Sequence, residues 1–432
     1  MMKNVLLYYN ITSQFLIMTY SRTICSVLPL QIVFSSRSFN TLISTVMDVM
    51  QSLGNFSERL YRNILKRNEG YLENTFLSPF NIYTALGIIL SGSANNTNAE
   101  LIKAMQLPDC LEQEKIHSAI GELLADFSKP DESVEIIIGN RLYVNEDVRV
   151  EKRFKNIIKQ YYSALTEHVT FRKDPECARS RINQWASEHT NGTIQELIPL
   201  DSLSPETSAI VLSTTYFKGS WRQPFPNENS HDSDFFKLDG STMSVKLMCD
   251  VSYFSMVILP HLESRAIKVP FMDPKYVLLI VLPNSNDGLP DLLNLMCEDG
   301  GISSILSRSF EDTLLNLYLP KFKLKEGGSF SLKDYLEQLG IKDAFSSLSA
   351  DFSNISVSKK LCVTDVLHKS LLEIDEKGVI AAAATLFMLD GCSFKSSEPE
   401  VEFRVDHPFF VSIIWNNTLP IFVGHVTTPL SD

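Results

Sequence analysis

Hydrophobic residues recur at helical spacing where the chain first reads as folded. Leu53, Phe56, Leu60 and Ile64 fall three or four apart, with Glu58, Arg59, Arg62 and Lys66 between them. That is the pattern of a helix with one buried face. Comparable patterns predict helices over 53–67, 97–106, 112–127 and 178–189. Runs rich in Val, Ile, Leu, Thr and Tyr then take over: Ile210 to Phe217, Val277 to Leu282, Leu314 to Leu319, Leu361 to Ile374, Phe409 to Ile414 and Pro420 to Val426. Helices early and strands late predict an α+β fold with large, mostly antiparallel sheets. The run Val363 to Ile374 is apolar on both faces, as a strand inside a covered sheet should be. No repeat or low-complexity linker divides residues 50–432, and the folded domain is placed there.

The amino terminus differs in character. Residues 4–21 carry no charge, but Asn10, Thr12, Ser13 and Gln14 interrupt the apolar pieces. A bilayer span needs a more continuous apolar run. A secretory signal has a cleaner apolar centre and a small-residue cleavage site. Residues 1–49 are read as an extension, with three origins open: a disordered tail, a signal peptide, or an upstream piece of a wrong gene model.

Composition narrows the function by exclusion. The chain has 432 residues, 44% hydrophobic and 21% charged, with 18 Gly and 19 Pro. This is globular composition, and the length permits a large core without a metal or disulfide staple. A net charge of −12 argues against nonspecific nucleic-acid binding. The 7 cysteines are odd in number and none has CxxC spacing, so neither a disulfide framework nor a zinc site is implied. That favours a reducing compartment, while Asn-x-Ser/Thr sequons at Asn10, Asn55, Asn95, Asn191, Asn354 and Asn416 favour secretion. Extracellular space is favoured over cytoplasm. There is no GxSxG, HExxH, GxGxxG or phosphate-loop motif, and the 8 histidines are scattered. No enzyme activity, cofactor or metal is expected.

The informative stretch runs from Glu376 to Phe403. Its first half is small and apolar, centred on Ala381, Ala382, Ala383, Ala384 and Thr385; its second half mixes apolar, acidic and turn residues. Four alanines alone read as a piece of helix. A long segment leaving a central strand is usually functional, however. Small residues also let a segment slide between packed strands.

Further segments carry a family resemblance. Asn140-Arg141-Leu142-Tyr143, Ile182-Asn183-x-Trp185 with Thr190-Asn191-Gly192, Phe217-Lys218-Gly219-x-Trp221 with Pro224-Phe225, and Leu319-Pro320-Lys321-Phe322 occur in order. Gly340 to Phe345, Ala350-Asp351-Phe352-Ser353 and Phe403 to Phe409 follow. Together they resemble the serpins, the serine protease inhibitor superfamily, over nearly all of residues 50–432. The loop resembles that of the leukocyte elastase inhibitor, in the ovalbumin-like branch.

The resemblance implies a serpin fold: three β-sheets, about nine helices and an exposed reactive-centre loop. It implies a suicide-substrate inhibitor. The target protease cleaves the loop and forms an acyl-enzyme, and the freed segment inserts into the main sheet and drags the protease along. Roughly 15 residues at about 3.3 Å each span of order 50 Å, enough to cross the domain. Glu376 and Gly378 map to the start and hinge of the loop, and Val379, Ala381, Ala383 and Thr385 to the inward face of the inserted strand. Ile380 departs from the family's usual Glu, but alternation points it outward. The scissile bond maps to Cys392–Ser393, which suits an elastase-like or chymotrypsin-like serine protease. Cleavage after Lys395 would suit a trypsin-like one; Phe394 is a third candidate. The polar cluster that holds the main sheet maps to Ser78, Asn81, Ser213 and His368. Ser and Asn are exchanged at Asn81 and Ser213, and these two are expected to pair, with His368 bonded to one of them. Trp221 maps beneath the hinge, and Lys321 pairs with Glu376. The region 112–130 lacks a basic stripe, so no strong heparin activation is expected. The partner is a protease, with no nucleic acid and no membrane, and the protein acts as a monomer. The alternatives are a non-inhibitory carrier, chaperone or storage serpin, and a cysteine-protease inhibitor.

Overall fold

The computed structural model describes residues 30–66, 72–129, 133–325, 330–358, 360–376 and 401–430. Its helices are α1 (Leu30–Lys66), α2 (Pro79–Gly92), α3 (Asn95–Ala104), α4 (Gln113–Phe127), α5 (Lys152–Tyr162), α6 (Pro175–His189), α7 (Leu289–Glu298), α8 (Gly301–Leu306) and α9 (Lys333–Gln338). The apolar stripe of α1 does not begin at Met50. It continues back through Val49 and Val46, both at most 2% exposed, with Leu42 packed against them. The expected domain start at Met50 therefore falls inside a helix, and the packed body begins before it. The cause is the unbroken three-four spacing from Leu42 to Ile64. Helix α2 is buried at every position, so it has no polar face and no helical period to read. Ser78 caps it by accepting from the Asn81 N–H, and Pro79 sits in its first turn.

The strands are β1 (Thr75–Leu77), β2 (Val134–Asn145), β3 (Leu165–Val169), β4 (Ala209–Gly219), β5 (His231–Phe236), β6 (Thr242–Leu259), β7 (Ser264–Pro270) and β8 (Tyr276–Pro283). They continue with β9 (Glu311–Pro320), β10 (Phe322–Lys325), β11 (Phe330–Ser331), β12 (Asp365–Ile374), β13 (Val401–Arg404), β14 (Phe409–Trp415) and β15 (Leu419–Val426). Among the described residues, hydrogen bonding joins them into two sheets where three were expected. The 18-residue β6 explains the difference: it pairs β5 near its start and β7 near its end, and β9 between, making one nine-stranded sheet.

The other sheet has the order β10-β12-β4-β2-β3, with β11 also on β12. Its central seam is parallel: β12 runs beside β4 from Asp365↔Ile210 to Leu372↔Phe217. One face packs on α2 and the main core. The other is covered by α6, whose Ala178, Ile182 and Ala186 pack on Tyr143, Leu212 and Leu367. Both faces are thus dry, which explains why β4 and β12 carry apolar residues on both faces outside a central polar stretch.

Candidate functional site

The β12–β4 seam organises the candidate site. Strand β12 leads directly into the segment after Glu376, and the chain is described again at β13. The positions Gly378, Val379, Ala381, Ala382, Ala383, Ala384, Thr385, Cys392, Ser393 and Lys395 lie outside the described residues.

Beneath the seam, four polar side chains stand where sequence placed a cluster. His368 on β12 is fully buried, opposite Ser213 on β4. Its Nε2 lies 3.0 Å from the Ser78 backbone nitrogen and 2.6 Å from the Ser370 hydroxyl. Its Nδ1 lies 3.0 Å from the Ser213 hydroxyl. A backbone N–H can only donate, so Nε2 accepts and Nδ1 carries the proton, which it gives to Ser213 Oγ. Burial drives the imidazole down to about 3, against an upward pull from the Ser213 backbone. The ring is therefore neutral and ties β12 to both β4 and the start of α2.

Asn81 does not pair with Ser213, contrary to expectation. Its amide donates to the Thr214 carbonyl at 2.8 Å and the Thr215 hydroxyl at 2.7 Å. Its Oδ1 accepts from Asn140 Nδ2 at 2.7 Å and lies 3.0 Å from the Thr84 hydroxyl. The longer Asn side chain, rising from the first turn of α2, reaches past Ser213 to the next inward residue of β4. Sequence reading missed Thr215, Asn140, Thr84 and Ser370. A usable signal existed: Ser213-Thr214-Thr215 and His368-x-Ser370 are polar breaks in otherwise apolar strands. Ser213 and His368 share a hydrogen bond, but both are fully buried. With both side chains closed off from solvent, the pair suits holding the sheet.

At the upper end of the seam, β12 is tied on both sides. Trp221 donates its indole N–H to the Asp375 carbonyl at 2.7 Å and stacks on Phe271 at 4.6 Å. The Phe225 N–H donates to the Glu376 carbonyl at 3.0 Å. Gly219 lets Phe271 approach, since a Cβ there would lie 2.6 Å from its ring. Lys321 Nζ is 3.0 Å from the Glu376 carboxylate. Burial pushes the Glu376 carboxyl up, but Lys321 and the local hydrogen bonds together hold it below its ordinary value. Lys218, next to the end of β4, lies 3.4 Å from Glu373 and 3.6 Å from Asp375. Among the described residues, no cluster of His, Cys, Asp and Glu is placed to hold a metal ion.

A family model described as serpin (serine protease inhibitor) matches residues 51–429. Human Serpin B4 is 30% identical over 384 residues, covering 86% of this chain and 96% of that protein. Mouse leukocyte elastase inhibitor A is 31% identical over 361 residues, covering 82% of this chain and 93% of that protein. Among solved structures, Serpin48 of the insect Tenebrio molitor superposes with a TM-score of 0.77 at 29% identity, over 89% of this chain and 99% of that one. Uncleaved ovalbumin shares the fold, with a TM-score of 0.76 at 24% identity, over 88% of this chain and 99% of that one.

Proposed function

The chain belongs to the serpin family, whose members akin to it are protease inhibitors and not enzymes, and from that premise we propose that it is a suicide-substrate inhibitor of an elastase-like or chymotrypsin-like serine protease. The observation that carries the reading is the direct parallel pairing of β12 and β4. The strand that feeds the small, alanine-rich segment lies beside the one partner it must leave if that segment is to enter the sheet. Because β12 and β4 run parallel and the segment follows β12 at once, it would turn back at Gly378 and lie antiparallel to both, which needs only a tight turn.

In this reading the protease attacks Cys392–Ser393 and is acylated by the Cys392 carbonyl. Ser393 becomes a new amino terminus, and the segment from Gly378 to Cys392 enters between β12 and β4. Val379, Ala381, Ala383 and Thr385 face the core and are small enough to pack without strain. Trp221, Lys321 and Glu376 stand where the sheet first parts. His368, Ser213, Ser78 and Asn81 hold it shut until then. The fold stores its free energy by keeping an available strand outside the sheet.

The test mixes the purified chain with neutrophil elastase, chymotrypsin and trypsin separately. Products are resolved on a denaturing gel and the released fragment is read by mass spectrometry. A denaturant-resistant adduct with a fragment starting at Ser393 supports the reading. A fragment starting at Ser396 moves the bond to Lys395 and the target to trypsin-like enzymes. Cleavage without adduct supports a non-inhibitory role instead.

A further inference from the structure

Asn-x-Ser/Thr sequons run through the chain, and the inhibitory reading uses none of them. Asn10 lies outside the described residues. The others differ in what their side chains do. Asn55 stands on α1 and accepts from Gln51 Nε2 at 3.1 Å. Asn95 donates to the Asp351 carboxylate at 2.7 Å, and Thr97, which completes its sequon, is buried. Asn354 is half-buried and donates to the Ser93 carbonyl at 2.9 Å. Asn416 is half-buried at the turn between β14 and β15. Among the described residues, Asn191 is the one sequon Asn that is exposed and also has no side-chain hydrogen bond.

Asn191 sits just past the end of α6. Thr190 caps that helix, and Asn191 and Gly192 then take positive φ, 51° and 79°. The backbone closes the turn: the Gly192 N–H donates to the Ser187 carbonyl at 2.7 Å, and the Thr193 N–H to the Thr190 carbonyl at 2.9 Å. A left-handed turn favours Asn and Gly, so the turn by itself accounts for Asn191 and Gly192. It asks nothing of Thr193. That residue is half-exposed, and its hydroxyl has no partner among the described residues. The Thr190 hydroxyl, by contrast, donates to the Ala186 carbonyl at 2.6 Å and accepts from the Ile194 N–H at 2.9 Å. A Cβ on Gly192 would meet nothing within 4 Å, so the space beside Asn191 is open. An amide, a small middle residue and an uncommitted hydroxyl therefore stand together where a bulky, water-soluble group fits.

We propose that Asn191 carries an N-linked glycan, and hence that the chain enters the secretory route. In the transfer, Asn191 Nδ2 bonds to the anomeric carbon of a lipid-linked oligosaccharide and gives up one proton. The bond from that carbon to the lipid diphosphate breaks, and the diphosphate leaves with the electron pair. The folded chain must then accommodate the sugar. At Asn95 and Asn354 the sugar would displace a hydrogen bond; at Asn191 it displaces none. The proposal does not rest on protease inhibition.

The test expresses the full chain, with its own amino terminus, in cultured mammalian cells and reads intact glycopeptides by mass spectrometry. A glycopeptide spanning Asn191 is expected, with faster migration on a denaturing gel after treatment with peptide N-glycosidase. Asn191→Gln and Thr193→Val should each lose that glycopeptide, and Thr193→Ser should keep it. A chain without glycan, glycan on other sequons with Asn191 bare, or a Thr193→Val chain that is still glycosylated at Asn191 overturns the proposal. Thr193→Val leaves the left-handed pair untouched, so it decides the matter even if Asn191→Gln does not fold.

Discussion

Replacing His368 with Ala removes the side chain that ties β12, β4 and α2 together. Three buried polar groups lose their partner: the Ser78 N–H, the Ser213 hydroxyl and the Ser370 hydroxyl. Each stranded group costs about 1–3 kcal/mol. The terms are not additive, because the two hydroxyls can rotate toward new partners and water can enter the space the ring leaves. A net loss of about 3–5 kcal/mol follows. At roughly 2 °C per kcal/mol for a chain of this size, the thermal midpoint falls by about 6–10 °C. The assay is a thermal scan at fixed rate, since chains of this size commonly unfold under kinetic control. His368→Gln, which offers an acceptor and a donor of its own, should recover part of the loss. A midpoint for His368→Ala within about 2 °C of the parent, or a Gln variant no better than Ala, would refute the role given to the ring.

Three further outcomes are expected. Ala383→Pro should leave the loop cleavable but abolish the stable protease adduct on a denaturing gel, because proline gives no N–H to the new ladder. Acid should destabilise the intact fold below about pH 6.5, as followed by the thermal midpoint against pH. His368 and His117 have folded pKa values of about 3 and about 4, lowered by burial, so the unfolded chain binds protons that the folded one refuses. Stability is therefore full above the unfolded value and falls as pH drops through that window, by about 1.4 kcal/mol per pH unit for each ring. Asp250 and Asp365, whose carboxyls burial pushes up, oppose this at the low end. Lys321→Met should cost less than about 1 kcal/mol in stability, because Lys321 is 37% exposed and its pair with Glu376 is screened; a larger drop in midpoint would show the pair to be structural.

The sequence was legible where local pattern and burial agree. The strands at Ile210–Phe217, Val277–Leu282 and Phe409–Ile414 lie within β4, β8 and β14, and α4 and α6 match their predicted spans within a few residues. It was mute where they part. Helix α2 is buried on every side and shows no period. Helix α5 was missed because it buries only Phe154, Ile158 and Tyr162 among charged neighbours. Strand β6 has exposed Val251 and Tyr253 beside buried Asp250, so alternation fails there. At the seam, the residues mapped from the family resemblance placed Ser78, Asn81, Ser213 and His368 together. They could not show that Asn81 reaches Thr215, because that depends on the depth of α2 against β4.

The most direct test of the account is to lock the seam. Ser370 and Thr215 are Cα partners across β12 and β4, and both are buried on the face toward α2. Adjacent strands lie about 4.8 Å apart, within the range a disulfide can bridge. A Ser370→Cys, Thr215→Cys chain, with the bridge verified by mass spectrometry, would be mixed with the protease that forms the adduct with the parent. With the bridge closed, the loop should be cleaved and no adduct form; after reduction, the adduct should return. Equal adduct formation with the bridge closed would contradict insertion between β12 and β4.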